Sequence, residues 1–349
     1  MRTIKLEGAF PLECGKNLHN IQIAFQTYGK LNQDKSNVVW VCHALTGNHF
    51  VEEWWNGLVG SGKLFDPAED FIVAVNALGS CYGTTGPSSP LENQRPLLLD
   101  FPLISIRDQV GILEEVRAEL ELESIQTVIG ASFGGQVALE WSIQFPELIQ
   151  QLILVASNAK HSAFGIAFNE SQRLALKLDP TFGRLVNGGK DGLIAARSIA
   201  MLSYRSYLGY VQKLSGENSI SDDLPANTYQ RYQGEKLAKR FSPYSYYYLS
   251  KAMDSHDVSR GRGTLESVLA KVTSRVLTVG VDSDQLFPTS EQKFIAKHVK
   301  NGSYAELNSN FGHDGFLVET HQLVVILKEF LNGTQRFKLT SLKPTFLNN

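Results

Sequence analysis

The chain has 349 residues, 43% of them hydrophobic, and 33 Lys and Arg against 35 Asp and Glu give a formal net charge of -2. That length holds one large α/β domain with an insertion, and a near-balanced charge without a basic cluster gives no electrostatic ground for a nucleic-acid partner or an anionic membrane. Three cysteines (Cys14, Cys42, Cys81) with no C-x-x-C support neither a disulfide framework nor a metal site, Met1–Glu7 lacks an apolar signal core, and no run reaches the about 18 apolar residues of a membrane span, so the expected location is cytoplasmic.

In chain order, the first buried strand is expected at Val38–Cys42, with Cys42 as core filler. It runs into His43-Ala44-Leu45-Thr46-Gly47, where the Leu45 amide is a candidate oxyanion donor and His43 reads as a hydrogen-bonded structural histidine. Strands at Phe71–Asn76, Thr127–Ala131 and Leu152–Ala156 alternate with helical stretches at Ile106–Leu120 and Gly135–Gln144, which predicts βαβ units and a mostly parallel sheet. At the third of these strands, Gly130-Ala131-Ser132-Phe133-Gly134 passes directly into helix-compatible sequence. A G-x-S-x-G turn between strand and helix lifts the serine hydroxyl clear of the sheet and offers the next amide, here that of Phe133, to an oxyanion.

From Lys160 to Gly263 the strand signals vanish and the sequence turns helical, with Tyr244-Ser245-Tyr246-Tyr247-Tyr248 as its densest aromatic cluster. An α/β pattern interrupted in this way predicts a cap, giving a core over 1–159, a cap over 160–263 and the rest of the core over 264–349. The tyrosines suit cap packing or a dimer interface. Arg275–Val281 resumes the strands and leads to Asp282 and Asp284, either of which can be the carboxylate that orients a base. Tyr304–Leu307 is a further short strand, followed by Gly312-His313-Asp314-Gly315, whose His313 is the candidate base. A serine hydroxyl needs a base and an orienting acid before it attacks, and the order Ser, Asp, His, each past a strand end, meets that need.

The residues at this point carry a family resemblance. His43–Gly47, Leu78–Pro87, Phe101–Asp108, the elbow with Ala138–Trp141, Lys160–Ala163, Phe168–Arg173, Arg231–Lys236, Ala252–Asp254, Ser283-Asp284 with Leu286–Pro288, and Gly312–Leu317 together resemble the homoserine O-acetyltransferases of the α/β-hydrolase superfamily. Phe133 stands where that family usually has Met, and the loop Ser88–Pro96 is shorter. The resemblance implies acetyl transfer from acetyl-CoA to L-homoserine through acyl-Ser132, with Asp284 as the acid, His313 as base, and Leu45 and Phe133 as oxyanion donors. It implies no metal and no bound cofactor, acetyl-CoA being a co-substrate, a place in methionine biosynthesis, and a homodimer formed through the caps. A zwitterionic acceptor calls for a fixed cation and a fixed anion; the resemblance assigns these to Arg173 and Asp314, with Tyr232 and Lys236 as further cap residues. A succinyl donor, a serine acceptor, a plain esterase and a non-catalytic binding protein are the rival readings.

Overall fold

The computed structural model describes residues 1–90, 95–215, 220 and 223–333; part of the shortened loop (91–94) and the last stretch of the second core segment (334–349) lie outside them. Its strands are β1 (Arg2–Pro11), β2 (Asn17–Tyr28), β3 (Val38–Cys42), β4 (Phe71–Val75), β5 (Ile125–Ala131), β6 (Ile149–Val155), β7 (Arg275–Val281) and β8 (Gly302–Leu307). The helices are α1 (Val51–Trp54), α2 (Ile106–Glu119), α3 (Phe133–Gln144), α4 (Ala163–Leu178), α5 (Lys190–Tyr204), α6 (Tyr207–Leu214), α7 (Pro225–Ala238), α8 (Pro243–Asp254), α9 (Leu265–Leu269), α10 (Thr289–His298), α11 (Gly315–Val318) and α12 (Thr320–Leu331).

The eight strands form one sheet in the order β1-β2-β4-β3-β5-β6-β7-β8. From β4 to β8 every neighbouring pair is parallel. Both β3 and β4 are buried at every position, as expected of parallel strands covered on two faces. Side chains alternate between two cores: Val38, Trp40 and Cys42 join the cluster containing Val110 and Trp141, whereas Val39 and Val41 join Leu323, Leu327 and Phe330 of α12. Trp40 meets Trp141 edge-on at 4.9 Å, locking the central strand to α3.

The antiparallel β1–β2 hairpin, paired through β2 to β4, is an edge that the strand pattern did not announce. The register of β1 shifts between Leu6 and Ala9, at Gly8 with φ +87°, so its alternation breaks midway.

Between β6 and β7 the described residues form the short α9 and, before it, the helices α4 to α8, which build the cap. Its neck is closed where His161 N–H donates to His256 O (2.9 Å) and Val258 N–H to Ala159 O (3.0 Å). Tyr244, Tyr246 and Tyr248 are buried, and their hydroxyls donate to Leu185 O, Gln172 Oε1 and Leu99 O. The three buried tyrosines pack the cap internally and onto the core. No helix among the described residues is long and apolar enough to cross a membrane.

Candidate active site

Parallel strands in register put their C-terminal ends on one edge of the sheet, and the candidate residues follow β5, β7 and β8 there. Ser132 has φ +55° and ψ -122°, a left-handed conformation costly for a residue with a Cβ. Its neighbours hold it there. Ser132 N–H donates to Val155 O (2.9 Å), and Ser132 O accepts from Gly135 N–H and Ser157 Oγ. A Cβ on Gly130 would lie 2.2 Å from Gly134 O, and one on Gly134 would lie 2.1 Å from Cys42 O, so both glycines are required by close approach. The second contact also presses the elbow against the end of β3, where the Leu45 loop begins.

His313 Nε2 lies 2.9 Å from Ser132 Oγ, and His313 Nδ1 lies 2.7 Å from Asp284 Oδ2. The other carboxylate oxygen, Asp284 Oδ1, accepts from the Leu286 and Phe287 amides at 2.8 and 2.9 Å. Asp284 therefore faces the histidine. Asp282 does not: its Oδ1 accepts from Ser309 N–H (2.9 Å) and fastens the β8 loop. That loop is tied again by Gly312 N–H donating to Ser283 Oγ, and by Ser206 Oγ of the cap donating to Asn310 O. The imidazole is stacked on Phe287 (5.0 Å between ring centres) with Tyr204 and Phe316 at 5.6 and 5.5 Å. Burial disfavours its charged form, but the charge and hydrogen bond of Asp284, with the charge of Asp314, outweigh burial and raise the His313 pKa above its ordinary value.

Ser132, Asp284 and His313 are each at most 5% exposed, so this hydrogen-bonded chain is shielded from bulk water. Among the described residues, neither the Phe133 amide, at the first position of α3, nor the Leu45 amide donates to a protein acceptor. Both are available to a developing oxyanion. Cys42 is buried, and burial pushes its thiol up to about 12, which keeps it protonated at neutral pH. No group of three or more His, Cys, Asp and Glu among the described residues is arranged to hold a metal ion.

The cap residues fall into two groups. Arg173 is 1% exposed, with Nε on Glu170 Oε2 (2.8 Å), one terminal nitrogen on Ser250 Oγ (3.1 Å) and the other on Asp254 Oδ2 (2.5 Å). Asp254 also accepts from Asn169, whose amide lies 3.3 Å from His161 Nε2, and His161 Nδ1 contacts Gln136 of α3. Arg173 is thus one end of a buried polar chain joining cap to core. Asp314 adjoins His313 and pairs with Arg205 (3.3 Å). Tyr232 is 56% exposed, with Lys236 over its ring at 5.9 Å.

Sequence reasoning passed over Arg197. Its guanidinium lies 4.9 Å over the ring of Tyr204, the ring that flanks His313. Among the described residues it forms no ion pair and no hydrogen bond. The available signal was the spacing of Arg197 and Tyr204, seven residues apart and so on one face of α5.

A family profile described as the alpha/beta hydrolase fold matches residues 37–320. The homoserine O-acetyltransferase of Cyclobacterium marinum is 49% identical over 326 residues, covering 93% of each chain. The crystal structure of homoserine O-acetyltransferase from Bacillus anthracis aligns with a TM-score of 0.86 at 22% identity, covering 97% of this chain and 98% of that one. Esterase E22 aligns at 0.84 and 22%, covering 95% and 99%. At such identities the structures speak for the fold, and the sequence relatives for the family. The chain belongs to the homoserine O-acetyltransferase family of acyltransferases, on the α/β-hydrolase fold.

Proposed function

We propose that the protein moves an acetyl group from acetyl-CoA to the hydroxyl of L-homoserine through acetyl-Ser132, giving O-acetyl-L-homoserine for methionine biosynthesis. The observation that carries this reading is the Ser132–His313–Asp284 hydrogen-bonded chain at a strained elbow beneath a cap whose Arg197 guanidinium has no ion-pair partner among the described residues. Ser132 Oγ attacks the thioester carbonyl as its proton passes to His313 Nε2, while Asp284 holds the proton on Nδ1 and stabilises the imidazolium. The Phe133 and Leu45 amides receive the negative charge on the carbonyl oxygen. The intermediate collapses, the C–S bond breaks, and coenzyme A leaves with the proton from Nε2. Homoserine then gives its hydroxyl proton to His313, its oxygen attacks the acyl carbon, and the second intermediate releases the ester and restores the Ser132 hydroxyl. These steps call on no metal and no bound cofactor.

Transfer to homoserine instead of water requires orientation, which contributes up to about 7–11 kcal/mol in favourable cases. For the ammonium group Asp314 is suited by its place beside His313. For the carboxylate, Arg173 was the expectation from resemblance, but its donors are engaged by Glu170, Ser250 and Asp254. We assign the carboxylate to Arg197, which offers donors beside Tyr204, and assign Arg173 to holding the cap. Cap side chains such as Phe164 (50% exposed), Leu178 (84%) and Tyr207 (74%) support a homodimer through the caps; sedimentation tests this.

The deciding assay is thiol release from acetyl-CoA and from succinyl-CoA, with homoserine, serine or no acceptor. The proposal predicts release that requires acetyl-CoA and homoserine together beyond a single burst. Preference for succinyl-CoA or serine, or acceptor-independent turnover, replaces it with the related acyltransferase or with an esterase.

A further inference from the structure

We infer that His43 is a positioning residue for the oxyanion hole: it clamps the Ala44–Leu45 peptide so that the Leu45 N–H faces the reacting carbonyl oxygen. The inference rests on the acyl-transfer reading above and adds to it a residue that touches neither substrate nor nucleophile.

The protonation state of the imidazole follows from its two partners. Ala77 N–H, which can only donate, lies 3.0 Å from His43 Nε2. Ala44 O, which can only accept, lies 2.8 Å from Nδ1. The ring is therefore neutral, with its proton on Nδ1. Burial favours the same state, since His43 is 3% exposed and its pKa is lowered to about 4. The clamp therefore stays in one tautomer throughout the working pH range.

The carbonyl that His43 holds belongs to a particular peptide unit. Ala44 C=O and Leu45 N–H share one plane, and in a trans peptide they point in opposite directions. A second donor, Gly47 N–H, reaches the same Ala44 O at 2.8 Å. Two donors on the carbonyl fix the plane and polarise the amide at its other end, which strengthens the Leu45 N–H as a donor. That N–H has no protein acceptor among the described residues. The ring is held in turn by the backbone just beyond β4, so the clamp ties the oxyanion loop to the rigid sheet. Gly134 packs against Cys42 O and His43 O, which sets the Phe133 amide of the elbow against this same turn.

Two substitutions separate the two hydrogen bonds. The Asn side-chain amide can take the place of Nδ1 and still donate to Ala44 O, whereas Gln reaches the place of Nε2 and retains only the Ala77 link. The inference predicts that H43Q loses about 10²-fold in kcat, the scale of a lost oxyanion donor, with KM for acetyl-CoA and homoserine within about twofold, while H43N stays within about tenfold of wild type. Acyl-enzyme formation by rapid-quench mass spectrometry should fall in the same ranking, because both half-reactions pass through an oxyanion. A boronic acid that mimics the tetrahedral intermediate should lose affinity in H43Q in proportion to kcat. A purely structural histidine gives another result: both variants fall together, in proportion to their loss of thermal stability, or the loss appears in KM. Either outcome overturns the inference. If H43Q does not fold, H43N decides, since a fall of about 10² in a folded H43N contradicts the clamp. Hydrolysis of 4-nitrophenyl acetate, run in parallel, keeps the two readings apart. Should thiol esters not react while the ester is cleaved with H43N well above H43Q, the acetyl-CoA reading fails and the clamp stands. Normal acetyl transfer with no difference between the variants removes the clamp and leaves that reading intact.

Discussion

The sheet edge and the cap contribute to the same site by different means. At the sheet edge the ties that hold the loops each have a backbone group on one side: the Leu286 and Phe287 amides donate to Asp284, the Ser309 and Gly312 amides of the β8 loop donate to the Asp282 and Ser283 side chains, and Ser132 N–H donates to the end of β6. The cap instead works through side chains, and its two arginines differ. Arg173 is buried and bound to Glu170, Ser250 and Asp254, while Arg197 lies on Tyr204 and donates no hydrogen bond among the described residues. A buried cation that already has two carboxylate partners is costly to remove, because breaking such a set leaves a buried charge uncompensated. A cation without a carboxylate partner among the described residues, held near His313 by Tyr204, is where the proposed function seats an anionic substrate group. Under the proposed function the difference divides the labour: the sheet edge performs the acyl chemistry common to all substrates, and the cap decides which hydroxyl is accepted.

The largest effect tests the sheet edge. Ser132→Ala should lower turnover by about 10⁶, with the fold retained and no acetyl adduct by intact-protein mass spectrometry. An adduct that persists in the variant, or maps to Cys42, removes the nucleophile assignment. Next, Asp284→Asn should cost about 10⁴ in rate through the wrong tautomer of His313. Asp282→Asn should act mainly on thermal stability, because its carboxylate fastens the Ser309 loop. The reverse ranking would contradict the geometry described for β7.

How much of this could be read from the amino acids alone also divides along the same line. The sheet edge was legible because its chemistry follows local rules: an apolar run, a turn of small residues, then a polar side chain just past the strand end. Periodicity could not choose between Asp282 and Asp284, since both lie beyond β7; the resemblance pointed to Asp284, and that is the carboxylate that faces His313. The β1–β2 hairpin escaped because Gly8 breaks the period on which strands are recognised. In the cap the resemblance led to Arg173, which lies in a motif, and passed over Arg197, whose only mark is the tyrosine two turns along α5. Tyr244, Tyr246 and Tyr248 were legible as an aromatic cluster suited to cap packing or to an interface, and the choice between them rests on contacts distant in sequence, within the cap and to the core.

The third prediction sets the two arginines against each other. Arg197→Lys keeps a charge but loses the planar fork, so kcat/KM for homoserine should fall by about 10- to 100-fold, given about 1.5–3 kcal/mol for a hydrogen bond to a charged group. Acetylation of Ser132 should be nearly unchanged. Arg173→Met should instead destabilise the protein by about 3–5 kcal/mol, by leaving Asp254 without its partner. Rapid-quench separation of the half-reactions, with thermal denaturation, distinguishes the two. A folded Arg173 variant defective only in transfer to homoserine, beside a silent Arg197→Lys, would restore the carboxylate role to Arg173. Asp314→Asn should resemble Arg197→Lys, acting through the ammonium group.

The smallest effect is a displacement along the pH axis. As base in the free enzyme, His313 must be neutral, so kcat/KM for acetyl-CoA falls as pH drops through its pKa. Burial alone would place that limb below the ordinary imidazole value of 6.5, but the Asp284 charge and hydrogen bond, and then the Asp314 charge, raise the pKa above it. The wild-type limb should therefore lie above 6.5. In Asp284→Asn the charge is gone and burial dominates, so the residual activity should persist to lower pH. Asp314→Asn should shift the limb in the same direction by less. Glu291 is the competing titrating group, since burial and the charge of Asp284 raise it to about 7, and it accepts a hydrogen bond from Asn158. Glu291→Gln separates them: if the limb belongs to His313 it survives this substitution, and if it disappears the limb was reporting Glu291. Retention of an unshifted limb in Asp284→Asn would likewise take the titration away from His313, leaving the geometry of the base intact but its electrostatic control by Asp284 disproved.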